Sequence, residues 1–302
     1  MKKHLSLVFE KHDYPLEARD FLLAAVDRLY ENSKFVYLVE NFYKDKLTNQ
    51  DHIIPTLKDV INESGLCEHT VNYLYYLCVT KELREEYAKR GLPDDLYWDS
   101  VNDFRYKLDE GKNTLGVWGF HQSPWFYHFL RMTQFKLGRL EFTINDNYWN
   151  FSCEVDGITI DEGDPVIHIH IPSAKEPFTK EACYDSYDRA YRFFKETMHY
   201  DYKCFCCESW LLFPEHKKIL SEKSNIARFI DDFKIVNIQM CKDRSHDLWR
   251  IFGADADLPY DQLPKDTSLK KAYAEYLTAG NQVGEGFGVF VWDPVAKKPI
   301  TK

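Results

Sequence analysis

Two histidines stand two positions apart in a run of branched apolar residues, VIHIHI, at residues 166–171. Successive side chains of a β-strand point to opposite faces, so a strand here would place His168 and His170 on the same face. A neutral imidazole can accept a proton near pH 7, because its ordinary pKa is about 6.5. The pair is therefore a candidate for a general base. The competing interpretation is that both rings are polar side chains hydrogen-bonded within a sheet.

A carboxylate and a hydroxyl follow a group of cysteines in the segment KCFCCES, residues 203–209. A carboxylate within a strand is unfavourable to bury unless it is paired or hydrated, so we expect Glu208 to face a cleft or a cation. Glu208 is thus an alternative base, and Ser209 could donate a hydrogen bond to a leaving group. Because no second pair of cysteines has zinc-finger spacing, we expect the thiols to be buried on a strand.

Two other kinds of enzyme use the same residue types. Metal enzymes often take two imidazoles from one strand, but the cupin pattern has a glutamate three or four residues after the second histidine, whereas here Glu176 lies further on. A nucleophilic enzyme would pair Cys207 or Ser209 with a histidine, but no G-x-S-x-G turn surrounds Ser209. Both remain minor alternatives, and we expect no bound metal.

The residues after the histidine strand are typical of a turn that leads into a helix. Pro172 ends the strand, and Thr179 is suited to cap a helix whose apolar positions recur from Cys183 to Phe194. A further strand at 203–212 would follow this helix, and a strand–helix–strand order predicts two parallel neighbours. The sequence therefore places the start of a helix at the end of a buried parallel strand.

Composition limits the classes of partner. The chain has 302 residues, of which 44% are hydrophobic, and a formal net charge of -9 without a long basic run, so we expect no nucleic-acid partner. The first residues, MKKHLSLVFEKHD, have too few apolar side chains for a secretory leader, and no segment approaches the length of a membrane span. The eight scattered cysteines fit a reducing compartment. We expect a cytoplasmic protein without a membrane partner.

The chain pattern predicts a helical N-terminal domain at 1–132 and a mixed α/β domain at 133–302. Helical spacing is clear at 69–90 and continues at 96–108. The aromatic segment at 116–132 is the expected junction, where Ser123 and Pro124 would begin a short helix and the aromatic rings would form either an interdomain core or a groove.

The second domain is expected to begin with strands and then alternate strands with helices. The segments 135–144 and 148–155 read as a hairpin, and 157–160 is expected to extend it. The glycine-rich segment 280–288 reads as a turn, because its order between a helix and a strand is wrong for a dinucleotide site. The remaining predicted elements are helices at 225–233 and 263–280 and strands at 234–241 and 286–292.

This order of elements looks like the GNAT acyltransferase fold. Five segments resemble a bacterial acyltransferase family whose members combine a helical N-terminal domain with a GNAT-like C-terminal domain. The segments are LGRLEF, HIPSAKEPFTKEACYDSYDRAYRFF, CESWLLFPEHKKILSEKSNIARFIDDFKIV, WRIFG and LPKDTSLKKAYAEYL. The chain departs from other GNAT enzymes in its phosphate loop, where Ser173, Ala174 and Lys175 replace the expected glycines.

The resemblance implies an α+β fold and transfer of an acyl group from acyl-CoA, with acetyl-CoA the expected donor, to an amine of a small-molecule or peptide acceptor. It implies that two parallel strands splay apart to bind the donor. His170 would then be the base, Glu208 the alternative, and Ser209 and His168 supporting groups. The altered loop leaves a second hypothesis, an inactive GNAT-like binding module. The implied donor-binding residues are Ile171, Ser173, Ala174, Lys175 and Lys180.

Overall fold

The computed structural model describes residues 1–44, 50–120, 124–242 and 246–302. Its chain divides into two units, Met1–Phe135 and Lys136–Lys302. The first unit is helical and the second is built on a mixed sheet. Ser123, expected to cap a helix at the junction, lies outside the described residues.

The helices of the first unit surround α5, which spans Glu68–Lys89. Val71, Leu74 and Tyr75 on this helix are fully buried, because apolar and aromatic side chains occupy nearly all its sides. The expected helix at 69–90 is therefore confirmed. The other helices of this unit are α1 (Lys2–Lys11), α2 (Leu16–Tyr30), α3 (Ser33–Asn41), α4 (Gln50–Ser64), α6 (Asp94–Leu115) and α7 (Tyr127–Leu130). None of the described helices is both long enough and apolar enough to span a bilayer.

The second unit contains a seven-stranded sheet with the order β1-β2-β5-β6-β8-β7, and β9 also pairs with β8. β3 and β4 form a separate two-stranded sheet. β5 and β6 run parallel, whereas β2 and β5, β6 and β8, β7 and β8, and β8 and β9 are antiparallel pairs. The strands are β1 (Gln134–Leu137), β2 (Leu140–Asp146), β3 (Cys153–Val155), β4 (Ile158–Ile160), β5 (Pro165–His170), β6 (Phe205–Ser209), β7 (Lys234–Met240), β8 (Gly284–Asp293) and β9 (Lys298–Ile300).

Helix α8, Lys180–Arg192, connects the two parallel strands, as the sequence predicts. The Thr179 side chain caps it by accepting a hydrogen bond from the Ala182 amide. Tyr187 of α8 packs its ring 4.8 Å from that of Phe290 on the sheet. The other helices of this unit are α9 (His216–Ile219), α10 (Asn225–Ile230), α11 (Trp249–Phe252) and α12 (Ser268–Thr278).

The expected hairpin between 135–144 and 148–155 is wrong. Gly138, with a φ of 74°, and Arg139 form a turn inside the first segment, which therefore becomes two adjacent strands. β2 pairs with β5 instead, and Cys153–Val155 pairs with Ile158–Ile160. The alternating pattern of side chains fits all these pairings equally, and only long-range packing selects one.

The glycine-rich segment 280–288 is also not simply a turn, because β8 begins at Gly284. A Cβ atom on Gly286 would lie 2.3 Å from the Leu212 carbonyl oxygen, and one on Gly288 would lie 2.8 Å from Phe233 Cβ. These glycines allow neighbouring chain segments to approach the strand closely. β6 ends at Ser209, so the predicted strand at 203–212 is too long.

Candidate functional site

The two parallel strands of the sheet separate at their carboxyl ends. Their pairing covers two positions, and the last has His168 opposite Cys206. β5 continues to His170 beside β2, and β6 continues to Ser209 beside β8. Each strand is thus held by its outer neighbour over the last residues. Among the described residues, no pair joins the two strands beyond this point, which leaves a gap between them.

Backbone groups line this gap. The Ile167 amide donates to the Cys204 carbonyl at 3.1 Å, so alternate residues along each strand direct their backbone groups toward the other. The next such groups are the Ile169 carbonyl and the Glu208 amide, and both lie beyond the last pair. Backbone groups of this kind need a partner when water is excluded. A ligand that carries amides would supply partners.

Three site residues predicted from the sequence share one face of the sheet beside the gap: His168, His170 and Glu208. The register that pairs His168 with Cys206 puts Glu208 across the gap from His170. Glu208 accepts hydrogen bonds from the Tyr148 hydroxyl at 2.9 Å and from Trp149 Nε1 at 3.1 Å. The carboxylate is therefore held in place at the mouth of the gap.

His168 and His170 lie in different surroundings. His168 is buried, and the Tyr148 ring stacks on it with 4.9 Å between ring centroids. Burial lowers the pKa of His168 to about 4, because a charged imidazole would lose its hydration. Within the described part of the chain, its Nε2 atom has no hydrogen-bond partner. His170, at the open end of the strand, is half-buried.

Glu141 is a site residue that the sequence analysis missed. Its position on β2 pairs directly with His170, and its side chain is on the same face. The residue is 1% exposed, which is rare for a carboxylate. Directly opposed residues of antiparallel strands have Cβ atoms about 5 Å apart. The alternation in LEFTI places Glu141 on one face of a strand. The sequence pairs this strand with the wrong partner, however, and so does not bring Glu141 to His170.

Tyr148 and Trp149 reach the site because Asn147 anchors their loop. The Asn147 amide donates to the Asp164 carbonyl at 2.7 Å, and its carbonyl accepts from the Gly163 amide at 2.7 Å. Its side-chain nitrogen donates to the Asp161 carbonyl at 2.9 Å. The loop after β2 is thus fixed to the loop before β5.

Ser209 does not join this cluster. Neighbouring residues of a strand point to opposite faces, so its side chain is directed away from the face of Glu208. Its hydroxyl oxygen accepts a hydrogen bond from the Leu211 amide at 3.2 Å and caps the helical turn Trp210–Leu212. The structure gives Ser209 a capping role.

The donor-binding residues implied by the resemblance follow β5 directly. Ser173 and Lys175 are exposed, whereas Ile171 and Ala174 are half-buried. Among the described residues, the amides of Ser173, Ala174 and Lys175 donate to no protein group. Lys180 begins α8, and its Nζ atom lies 5.0 Å from the centre of the Tyr184 ring. Free amides beside a helix start are a common arrangement for binding phosphate.

Cys206 and Cys207 of β6 are buried, as expected, and Cys206 lies in the apolar cluster that also contains Trp149 and Phe287. Burial raises the pKa of Cys207, so its thiol stays protonated at neutral pH. Over residues 1–44, 50–120, 124–242 and 246–302, no group of three or more His, Cys, Asp or Glu side chains could hold a metal ion.

Two family models match the chain. The GNAT-like C-terminal domain matches residues 134–290, and the N-acyltransferase N-terminal domain matches residues 3–132. The two matched domains are those of an acyltransferase. Since the first match covers more than half of the 302 residues, the chain belongs to the GNAT-like C-terminal domain family. The resemblance read from the sequence and the α+β fold class are confirmed.

Several solved acyltransferase structures share the fold. A mutant acyltransferase in complex with octanoyl-CoA matches with a TM-score of 0.73 and 19% identity, over 96% of this chain and 87% of that one. An acyltransferase in complex with decanoyl-CoA and teicoplanin gives 0.71 and 20%, over 93% and 85%. Another, with CoA and 10C-teicoplanin, gives 0.64 and 23%, over 75% and 68%. No curated protein matches the sequence.

Proposed function

We propose that this chain transfers a medium-chain acyl group from acyl-CoA to an amine of a small-molecule acceptor. The observation that carries the proposal is the gap between β5 and β6, which opens beyond His168 and Cys206. Beside it lie three amides without a protein partner in the described structure, at Ser173, Ala174 and Lys175. The gap suits the pantetheine arm of CoA, and the amides suit its diphosphate.

In this arrangement the donor extends the interrupted sheet. The amides of pantetheine pair with the Ile169 carbonyl and the Glu208 amide, which lie just past the last strand pair. The diphosphate lies at the loop 173–175 and the start of α8, where Lys175 and Lys180 add positive charge. The thioester then lies beside His170 and Glu208.

The related structures support a medium-chain donor over acetyl-CoA. Those acyltransferases were solved with octanoyl-CoA and decanoyl-CoA. In this chain Trp149 and Phe151, which follow β2, pack their rings against Phe287 on the sheet face that carries His168. An alkyl chain gains about 0.8 kcal/mol for each methylene buried against such a surface. The teicoplanin complex supports a small-molecule acceptor.

The reaction needs one proton carrier. The amine nitrogen attacks the thioester carbonyl carbon, a C–N bond forms, and the carbonyl electron pair moves to oxygen. His170 takes the proton from the nitrogen, and collapse of the intermediate breaks the C–S bond. The expelled thiolate takes the proton back from His170.

Glu141 and Glu208 act on either side of His170. Glu141, its direct neighbour on β2, holds the imidazole ring in position, and its carboxylate stabilises the imidazolium formed during attack. Glu208 lies across the gap from His170 and attracts the ammonium form of the acceptor, which releases one proton to solvent before its neutral nitrogen attacks. Glu208 is therefore assigned to acceptor binding and is the alternative base.

Calorimetric titration with decanoyl-CoA, octanoyl-CoA and acetyl-CoA tests the donor. We expect the two longer donors to bind at least tenfold more tightly than acetyl-CoA, given about 0.8 kcal/mol for each buried methylene. Release of free thiol in the presence of a panel of amines, with mass detection of the amide product, tests turnover. A protein that binds none of the donors contradicts the proposal. Binding without turnover for any amine would favour the inactive binding module.

A further inference from the structure

Arg139, in the turn between β1 and β2, reaches the loop that follows β5. Its Nε atom donates a hydrogen bond to the Glu176 carbonyl at 3.0 Å, and its Nη1 atom donates one to the Pro172 carbonyl at 3.0 Å. The guanidinium also lies 5.3 Å from the centre of the Phe178 ring. Only 8% of the residue is exposed. One side chain thus binds both ends of the loop that carries the free amides.

The position of Arg139 follows from the register of the sheet. β2 pairs with β5 up to Glu141 opposite His170, so two residues further along Arg139 comes opposite Pro172. Proline has no amide hydrogen and cannot continue the ladder of backbone hydrogen bonds. The Arg139 side chain donates a hydrogen bond to the Pro172 carbonyl instead. This contact holds the chain after β5 on the side of β2, away from β6.

The same turn is fixed to α8. The Arg139 amide donates to the Ser186 hydroxyl at 2.8 Å, and that hydroxyl donates to the Ala182 carbonyl at 2.8 Å. Gly138 is packed so closely that a Cβ atom would lie 2.7 Å from the Ser186 hydroxyl oxygen. Lys136 adds an ion pair with Glu176 at 2.9 Å. The turn therefore sets the loop and the first turns of α8 in one fixed arrangement.

We infer that Arg139 is a positioning residue for the donor. It takes over the task of a glycine-rich loop by holding 172–176 so that the amides of Ser173, Ala174 and Lys175 converge on the diphosphate. The inference rests on the proposed function, since it assumes that acyl-CoA is the donor. Arg139 does not touch the thioester, so its effect is confined to binding of the phosphate-bearing part of CoA.

The test compares donors with and without the diphosphate. We expect Arg139→Gln to raise the Kd for CoA about tenfold or more, because a hydrogen bond to a charged group is replaced by weaker ones. The variant's kcat/KM with an acyl-pantetheine donor, which lacks the diphosphate, should stay within about threefold of wild type, since the thioester contacts remain. Arg139→Lys keeps the charge but not the two-pronged geometry, and should give a smaller loss of CoA affinity.

Arg192→Gln is the matched control, because this exposed arginine of α8 pairs with Asp188 and lies outside the loop. It should leave both donors unaffected. An unchanged CoA affinity in Arg139→Gln, or an equal loss with both donors, would overturn the inference. If Arg139→Gln does not fold, the same two outcomes in Arg139→Lys decide it. A wild-type protein that binds no CoA would instead overturn the proposed function, and this inference with it.

Discussion

His168 and His170 belong to the same strand face, yet their chemistry differs because of what covers each ring. Tyr148 stacks on His168 and keeps it from water, and burial lowers the pKa of His168 to about 4. A base works best when its pKa is near the operating pH. His170 lies at the open end of β5 and has a carboxylate, Glu141, as its direct neighbour. We therefore propose His170 as the base and His168 as a packing residue beneath it.

Asparagine substitutions separate these two roles. We expect His170→Asn to lower kcat by about 100-fold or more, since general-base catalysis contributes factors of that size. The Kd for decanoyl-CoA should be unchanged. His168→Asn should lower the free energy of unfolding by about 1–3 kcal/mol through lost packing, with a smaller effect on kcat. Steady-state kinetics and urea unfolding of both variants measure this, and equal losses of kcat would contradict the assignment.

Glu208 and Ser209 are adjacent in sequence but are expected to differ in effect. Glu208→Gln removes a charge at the mouth of the gap and should raise the KM for the amine about tenfold, with little change in the Kd for the acyl-CoA. Ser209→Ala removes a helix cap and should lower stability by about 1 kcal/mol while kcat stays within about twofold. A large loss of kcat in Ser209→Ala would contradict this expectation and show that the hydroxyl takes part in catalysis.

At the scale of single residues, the sequence predicts which side chains share a face of a strand but not which strands lie side by side. The alternation in VIHIHI predicts that the histidines share a face, and the register confirms it. Glu141 and Arg139 could not be found this way, because each becomes significant only when β2 lies beside β5. That pairing joins segments far apart in sequence, and its register depends on packing rather than on local pattern.

The strand–helix–strand unit is the element that the sequence predicts best. Strand, cap and helical stripe all lie within one continuous segment, so local periodicity and a single capping residue define them. The hairpin assigned to 135–155 failed because a glycine with positive φ breaks the first segment after Leu137. Sequence alone predicts a turn at the glycines of β8, because it does not reveal how closely other segments approach a strand.

β8 supports the site because it holds the last residues of β6 in place beyond the gap. Gly286, opposite Ser209, has no room for a Cβ atom, which would lie 2.3 Å from the Leu212 carbonyl oxygen. We expect Gly286→Ala to lower the free energy of unfolding by about 2 kcal/mol or more, as overpacking does. Its Kd for acyl-CoA should also rise, because β6 must shift.

Gly280→Ala is the comparison for that substitution. Gly280 has a φ of 83° and nothing within 4 Å of an added Cβ atom. The variant should lose about 1 kcal/mol from backbone strain alone and keep its donor affinity. Urea unfolding and calorimetric titration of both proteins provide the measurement. Equal stability of the two variants would show that β8 can move away from Leu212 without consequence.

Over the whole molecule, ionisation of buried groups links folding to pH. Burial lowers the pKa of His4, His168 and His216 to about 4 in each case, from an ordinary value of 6.5. The unfolded chain therefore binds more protons between pH 4 and 6.5, and stability is lost as the pH falls through this window. Asp232 acts in the opposite direction, because burial raises its pKa to about 7 and favours its protonated form in the folded protein.

The contribution of His4 to the pH dependence can be isolated by comparing the free energies of unfolding of wild type and His4→Gln at each pH. His4 accepts or donates a hydrogen bond with the Thr80 hydroxyl at 2.9 Å, and we expect His4→Gln to be less stable than wild type at pH 7.5. As the pH falls from 6.5 toward 4, that difference should shrink by up to about 3 kcal/mol, because only wild type has an imidazole that is protonated in the unfolded chain but stays neutral in the folded protein. Groups common to both proteins, Asp232 included, cancel in the difference. His199→Asn, at an exposed residue whose positive φ asparagine tolerates, is the control. Urea unfolding followed by tryptophan fluorescence at pH 7.5, 6.5, 5.5 and 4.5 makes the measurement. A difference in stability that does not vary with pH would show that His4 takes up its proton in the folded protein as readily as in the unfolded chain.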